Sequence, residues 1–184
     1  MTTSGNFPQP IDDGAVAHLK AGTTLPLLAL PATDGSVVDL AALPGRSILI
    51  VYPWTGRPGH PNPPDWDIIP GAHGSTPELE GFRDREPAFA TLGVRLLGLS
   101  RQTTEYQREL VARLALPFPI LSDALGGFAA ALGLPSFTTG GAIYLKRLTL
   151  LIEGGRIETV FYPVPDPAGH AADVLLSLQK KWDD

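Results

Sequence analysis

Cysteine is absent from all 184 residues. That excludes a disulfide framework, a Cys-ligated zinc site and any thiol chemistry in the chain as it stands. Clusters of positive charge are also missing. The 14 Lys and Arg residues are scattered and outnumbered by 19 Asp and Glu, for a net charge of −5. An acidic chain with no basic patch argues against a nucleic-acid partner. No apolar run approaches the ~20 residues of a membrane span. Met1 to Pro10 lacks the charged and apolar regions of a secretory signal. The expectation is a cytoplasmic protein without a membrane partner. His18, His60, His73 and His170 show no HxH or HExxH spacing, and no GxGxxG or GxxxxGK[ST] loop occurs. Neither a metal nor a cofactor is therefore expected.

Glycine and proline are plentiful, with 20 and 19 residues, and hydrophobic residues make up 43%. The length suits one domain, large enough to bury roughly 70% of its unfolded surface. Residues 1–20 read as a loose tail followed by a short helix over Ile11–Lys20, and 21–184 as the domain. Asp34-Gly35 marks a turn between two short apolar stretches, which predicts a hairpin. Ser47–Tyr52 is a β-branched apolar run, the pattern of a central strand covered on both faces. Pro53 to Gly74 holds six prolines and no apolar period, and is predicted as one long loop.

Ser75-Thr76-Pro77-Glu78 has the form of a capping box at a helix start. The helix that follows contains Pro87, which is expected to kink or divide it. Strands are predicted over Val94–Ser100, Ile120–Leu121, Ala142–Ile152 and Ile157–Tyr162. The last two are joined by a turn at Glu153-Gly154-Gly155. Helices are predicted over Thr103–Ala115, Asp123–Leu132 and Asp166–Lys181. Strands alternating with helices predict a three-layer α/β domain with parallel central strands, and the closing hairpin makes the sheet mixed.

This order is that of the thioredoxin fold, and four segments resemble one of its branches, peroxiredoxin Q, also called bacterioferritin comigratory protein. Gly74-Ser75-Thr76-Pro77-Glu78-Leu79-Glu80-Gly81-Phe82-Arg83-Asp84 resembles that branch's GCTxExCxFRD. Gly98-Leu99-Ser100 is similar to its GxS strand end. Leu116-Pro117-Phe118-Pro119-Ile120-Leu121-Ser122-Asp123 is similar to LPFPLLSD. Arg147-Leu148-Thr149-Leu150-Leu151-Ile152 is similar to RxTFxI. Together they cover roughly residues 25–178. The resemblance implies a thioredoxin fold, with a mixed central sheet flanked by helices on both faces. It also implies hydroperoxide reduction by a cysteine thiolate.

Two departures stand out. Residues 54–70 are inserted ahead of the active turn. The peroxidatic cysteine position falls on Ser75, and the resolving cysteine position falls on Glu80. A thiol at a helix N-terminus near an arginine has its pKa lowered. Its thiolate passes through a sulfenic acid that a second thiol reduces. Serine has no such ladder, so no thiol-peroxidase turnover is expected. Ser75 then has three readings: an engineered Cys→Ser replacement, a natural cysteine-less relative that kept the fold, or a serine-based enzyme.

By the resemblance, Arg147 and Thr76 join Ser75 at the catalytic position. Tyr52, Pro53, Thr55, His73 and Gly74 are expected to line the pocket. Trp54 and Trp66 are expected to cover it or to pin the loop. A small hydroperoxide or small anion is the expected ligand, and a thiol reductant protein the expected partner once a cysteine is restored. A cysteine-less binding or regulatory protein using the Arg147 pocket is the alternative, and a serine hydrolase a further one. A monomer is slightly favoured.

Overall fold

The computed structural model describes residues 6–183. Of the predicted tail, residues 1–5 lie outside this range. Asn6–Pro10 has no regular structure, and Ile11–Lys20 forms turns rather than a helix. Asp12 and Asp13 account for the difference. Their carboxylates accept from the amides of Gly14 and Ala15, at 3.0 and 3.1 Å. Such local bonds offer the backbone an alternative to the helix.

The hairpin predicted around Asp34-Gly35 consists of β1 (Ala29–Pro31) and β2 (Val37–Asp39). The central sheet comprises β3 (Arg46–Val51), β4 (Val94–Ser100), β5 (Ile120–Ser122), β8 (Leu148–Glu153) and β9 (Arg156–Phe161). Their order is β5-β4-β3-β8-β9. β3 runs parallel to β4, and β4 to β5, while β8 is antiparallel to both β3 and β9. β3 is central and buried on both faces, as its continuous apolar run requires. Ile48, Ile50 and Tyr52 point to one side, and Leu49 and Val51 to the other.

The Ile48 side packs on α1 (Ser75–Thr91), α2 (Thr104–Leu114) and α4 (Pro167–Trp182) through Leu79, Phe82, Leu110 and Val174. The Leu49 side packs on the β1–β2 hairpin and on α3 (Gly127–Leu132) through Leu30 and Phe128.

Three predicted elements change form. α1 is one continuous helix of 17 residues with Pro87 inside it, so proline does not divide it. α3 has only six residues, because Gly126 sits at φ +76. The Asp123 carboxylate meanwhile accepts from the amides of Phe128 and Ala129. The single strand predicted over Ala142–Ile152 is two strands, β7 (Ala142–Leu145) and β8, separated by Lys146 and Arg147. β7 pairs with β6 (Ser136–Thr139), which the sequence does not suggest, in a separate ribbon. The break has a physical cause, because Arg147 turns its side chain into buried polar contacts.

The inserted loop is held in place rather than regular. Trp66 begins a short 3-10 turn, Trp66–Ile68, and is 4% exposed. Its ring meets those of Trp54, Phe137 and Tyr144. Thr139 donates to the Pro64 carbonyl at 2.6 Å, and Arg113 to that of Gly56 at 2.9 Å.

One glycine in the β8–β9 turn is indispensable. Gly155 has φ +76, and a Cβ there would lie 2.1 Å from the Ala41 carbonyl oxygen. Gly155→Ala is expected to destabilise the fold by more than ~1 kcal/mol in urea unfolding. Unchanged stability would mean that the two backbones do not approach so closely in solution.

Candidate active site

The site is built where α1 begins. Gly74 is its N-cap, at φ 110. A Cβ there would lie 2.6 Å from the Pro167 ring, so only glycine lets the chain enter α1 beside the start of α4. Ser75 is the first helical residue and is 4% exposed. The backbone amides of Ser75 and Thr76 point out of the helix start, where the macrodipole is positive.

The predicted capping box does not form. No side chain caps the helix, and both Ser75 and Glu78 turn instead to Arg147. Arg147 Nη2 donates to Ser75 Oγ and to the His73 carbonyl, each at 3.1 Å, with the Ala72 carbonyl at 3.3 Å. Arg147 Nη1 donates to Glu78 Oε2 in a short ion pair. Both side chains are almost wholly shielded, 2% exposed for Arg147 and 0% for Glu78. Burial pushes the Glu78 carboxyl up to about 7, against the opposing pull of Arg147. Glu78 is the site residue that the capping reading missed. Its place in the GCTxE pattern is the signal that could have found it.

A cavity of about 230 Å3 opens over Ser75. The structure brings Thr55, His73, Gly74 and Thr76 into its wall, together with Trp54, Trp66 and Asn62 from the inserted loop. Tyr52 and Pro53 are not among its lining residues. Tyr52 is fully buried in the core, and burial followed by the nearby Glu78 charge holds its hydroxyl above the usual range. Thr55 is committed elsewhere. Its amide and hydroxyl both donate to Gln102 Oε1 at 3.2 Å, and its carbonyl accepts from Tyr106 at 2.9 Å. Gln102 and Tyr106 thus position this stretch, and no motif in the sequence marks them. Glu80 is half-buried and lies outside the cavity.

Ser75 has no base. His73 Nε2 pairs with Asp67 Oδ1 at 2.7 Å, and its ring stacks on Phe7 with centroids 3.7 Å apart. Among the described residues, no imidazole or carboxylate accepts a hydrogen bond from the Ser75 hydroxyl. The arrangement suits anion stabilisation at the Ser75 Oγ position and lacks the partner that serine nucleophiles use. The remaining histidines are structural or remote. His170 Nε2 meets Thr149 Oγ1 at 2.9 Å, and burial lowers its pKa to about 4. His18 contacts the Gly133 carbonyl, and His60 is exposed.

Comparison with known proteins agrees with this architecture. Peroxiredoxin Bcp of Escherichia coli (strain K12) is 29% identical over 168 residues, covering 89% of this chain and 97% of that protein. The crystal structure of peroxidoxin BcpB from Mycobacterium tuberculosis superposes with a TM-score of 0.71 at 26% identity, covering 89% of this chain and 98% of that one. A Cys-to-Ser mutant of Xylella fastidiosa PrxQ superposes with a TM-score of 0.72 at 24% identity, over 89% and 98% of the two chains. The fold is therefore the thioredoxin fold of the peroxiredoxins. The family model described as Redoxin matches residues 20–175, nearly the whole domain, and the chain belongs to the Redoxin family.

Proposed function

We propose that the cavity over Ser75 is a hydroperoxide site of the peroxiredoxin type whose nucleophile position holds serine. In this reading the chain as written does not reduce hydroperoxides through a thiol. The observation that carries it is the 3.1 Å hydrogen bond from Arg147 to Ser75 Oγ at the start of α1. A cationic donor and a helix N-terminus together stabilise an anion at that atom. Cysteine would use both as a thiolate, whereas a serine hydroxyl without a base remains neutral.

The test compares hydroperoxide consumption under a thiol reductant for this chain and for Ser75→Cys. Turnover confined to the cysteine variant supports the reading. Absence of turnover in both favours the second reading, a cysteine-less binding protein that uses the same cavity for a small anion. The retained Arg147–Ser75–Glu78 geometry supports a site of either kind.

A further inference from the structure

Arg147 also borders a second cavity, which Gly71 lines, whereas Ala72 to Ser75 line the first. It encloses about 280 Å3, and none of its lining residues belongs to the Ser75 cavity. Ile11, Ile69 and Phe137 form much of its apolar wall. Its polar side is made by Asp13, Lys146, Tyr162 and Arg147.

The charges on that wall do not balance. Lys146 and Arg147 are cationic, and Asp13 is the one carboxylate among the lining residues. Lys146 Nζ donates to Asp13 Oδ2 at 2.7 Å, and Tyr162 donates to Asp13 Oδ1 at 2.7 Å. With the Ala15 amide also on Oδ1, Asp13 accepts three hydrogen bonds. An ammonium group carries three donors, so Lys146 keeps two for a ligand. Glu78 offsets Arg147 but does not line this cavity. At ~30 Å3 for each water of the liquid, the space corresponds to about nine waters.

We propose that this cavity binds a small amphipathic monocarboxylate of about eight to ten non-hydrogen atoms, with its carboxylate on Lys146 and its tail against Ile11, Ile69 and Phe137. Apolar walls with a few convergent polar groups are the usual make-up of a small-molecule site. The ammonium donors that Lys146 keeps free select an anionic head group, and the apolar wall selects one with a hydrocarbon body. The site stands independently of the chemistry at Ser75. Arg147 connects the two, since it lines one cavity and donates to Ser75 in the other.

Titration calorimetry with hexanoate, hexanol and acetate on the full chain tests this. Hexanoate is expected to bind saturably, and at least ~10-fold tighter than either control, hexanol losing a charge-assisted hydrogen bond and acetate the burial of its tail. Lys146→Gln should abolish the preference for hexanoate over hexanol. Ile11→Asp should weaken hexanoate by a similar factor. Ile11 is 74% exposed, so that substitution leaves the core untouched. The proposal is overturned if hexanoate shows no saturable binding, if hexanol or acetate binds equally well, or if neither substitution changes its affinity.

Discussion

Ser75→Cys is expected to convert a chain without measurable thiol-dependent hydroperoxide consumption into one that consumes it catalytically. The surroundings already favour a thiolate at that atom. Arg147 donates to it from 3.1 Å, and the 17-residue α1 places its positive end there. Such settings lower a thiol pKa from about 8.5 to as little as ~3.5–7.5. The alkylation rate of the variant should therefore reach half its maximum well below pH 8.5. Adding Arg147→Met should raise that midpoint and slow peroxide consumption by ~10²-fold or more, the cost of losing one preorganised donor. No second thiol stands at Glu80, so turnover requires an external thiol, with oxidised variant accumulating when the thiol is withheld. A cysteine variant with an ordinary thiol pKa and no peroxide consumption would sink the reading of this cavity as a peroxide site.

Removing either member of the Arg147–Glu78 pair is expected to be the most damaging point change in the fold. Breaking a fully buried pair leaves an uncompensated charge and costs ~3–5 kcal/mol. Glu78→Ala leaves Arg147 charged without its partner at every pH, and its deficit should be largest below about pH 4.5 and shrink as pH rises through about 7, because the titrating group itself is gone. Arg147→Met should behave differently. It leaves a buried carboxyl that burial alone already pushes upward, and it takes away the charge and hydrogen bond that hold it down.

A carboxyl whose folded pKa is raised contributes stability fully below its unfolded value of about 4.5, and that contribution is lost as pH rises through the folded value. In the unmodified chain this window runs from 4.5 to about 7. In Arg147→Met it extends higher. His170 acts in the opposite sense. Burial holds it neutral, so its contribution is lost as pH falls from 6.5 through about 4. Arg147 also lowers His170, so its removal weakens that opposing contribution as well. The stability deficit of Arg147→Met relative to the unmodified chain should therefore shrink from pH 8 to pH 5. Urea unfolding at the two pH values measures it, and an equal deficit at both would contradict a buried Glu78 whose carboxyl Arg147 holds down.

Much of the fold is legible residue by residue. The SILIVY run reads as a central strand because a strand covered on both faces needs apolar side chains at every position, and β3 is such a strand. The helix predicted from Thr103 forms as α2, and the Thr103 side chain caps it by accepting from the Tyr106 amide at 3.3 Å. Elsewhere local pattern misleads. Ser75 and Glu78 have capping-box spacing, but a buried guanidinium 69 residues from Glu78 outbids the backbone amides for both side chains. Ala142–Ile152 reads as one strand because apolar residues lie on both sides of Lys146-Arg147, and the break there follows from where those two side chains go.

The sequence by itself determined the α/β order, the missing sulfur chemistry and the alignment of Ser75 with Arg147. The first two rest on composition and on short-range pattern, which need no partner to be read, and the third on the resemblance of short motifs to a known family. Only the tertiary structure decided that Glu78 belongs to the site, that the inserted loop supplies Trp54 and Asn62 to its wall, and that Tyr52 does not line it. It also divided the surroundings of Arg147 into two cavities. Each of these depends on contacts between segments far apart in the chain, where burial and hydrogen-bond competition, rather than local propensity, choose the partner.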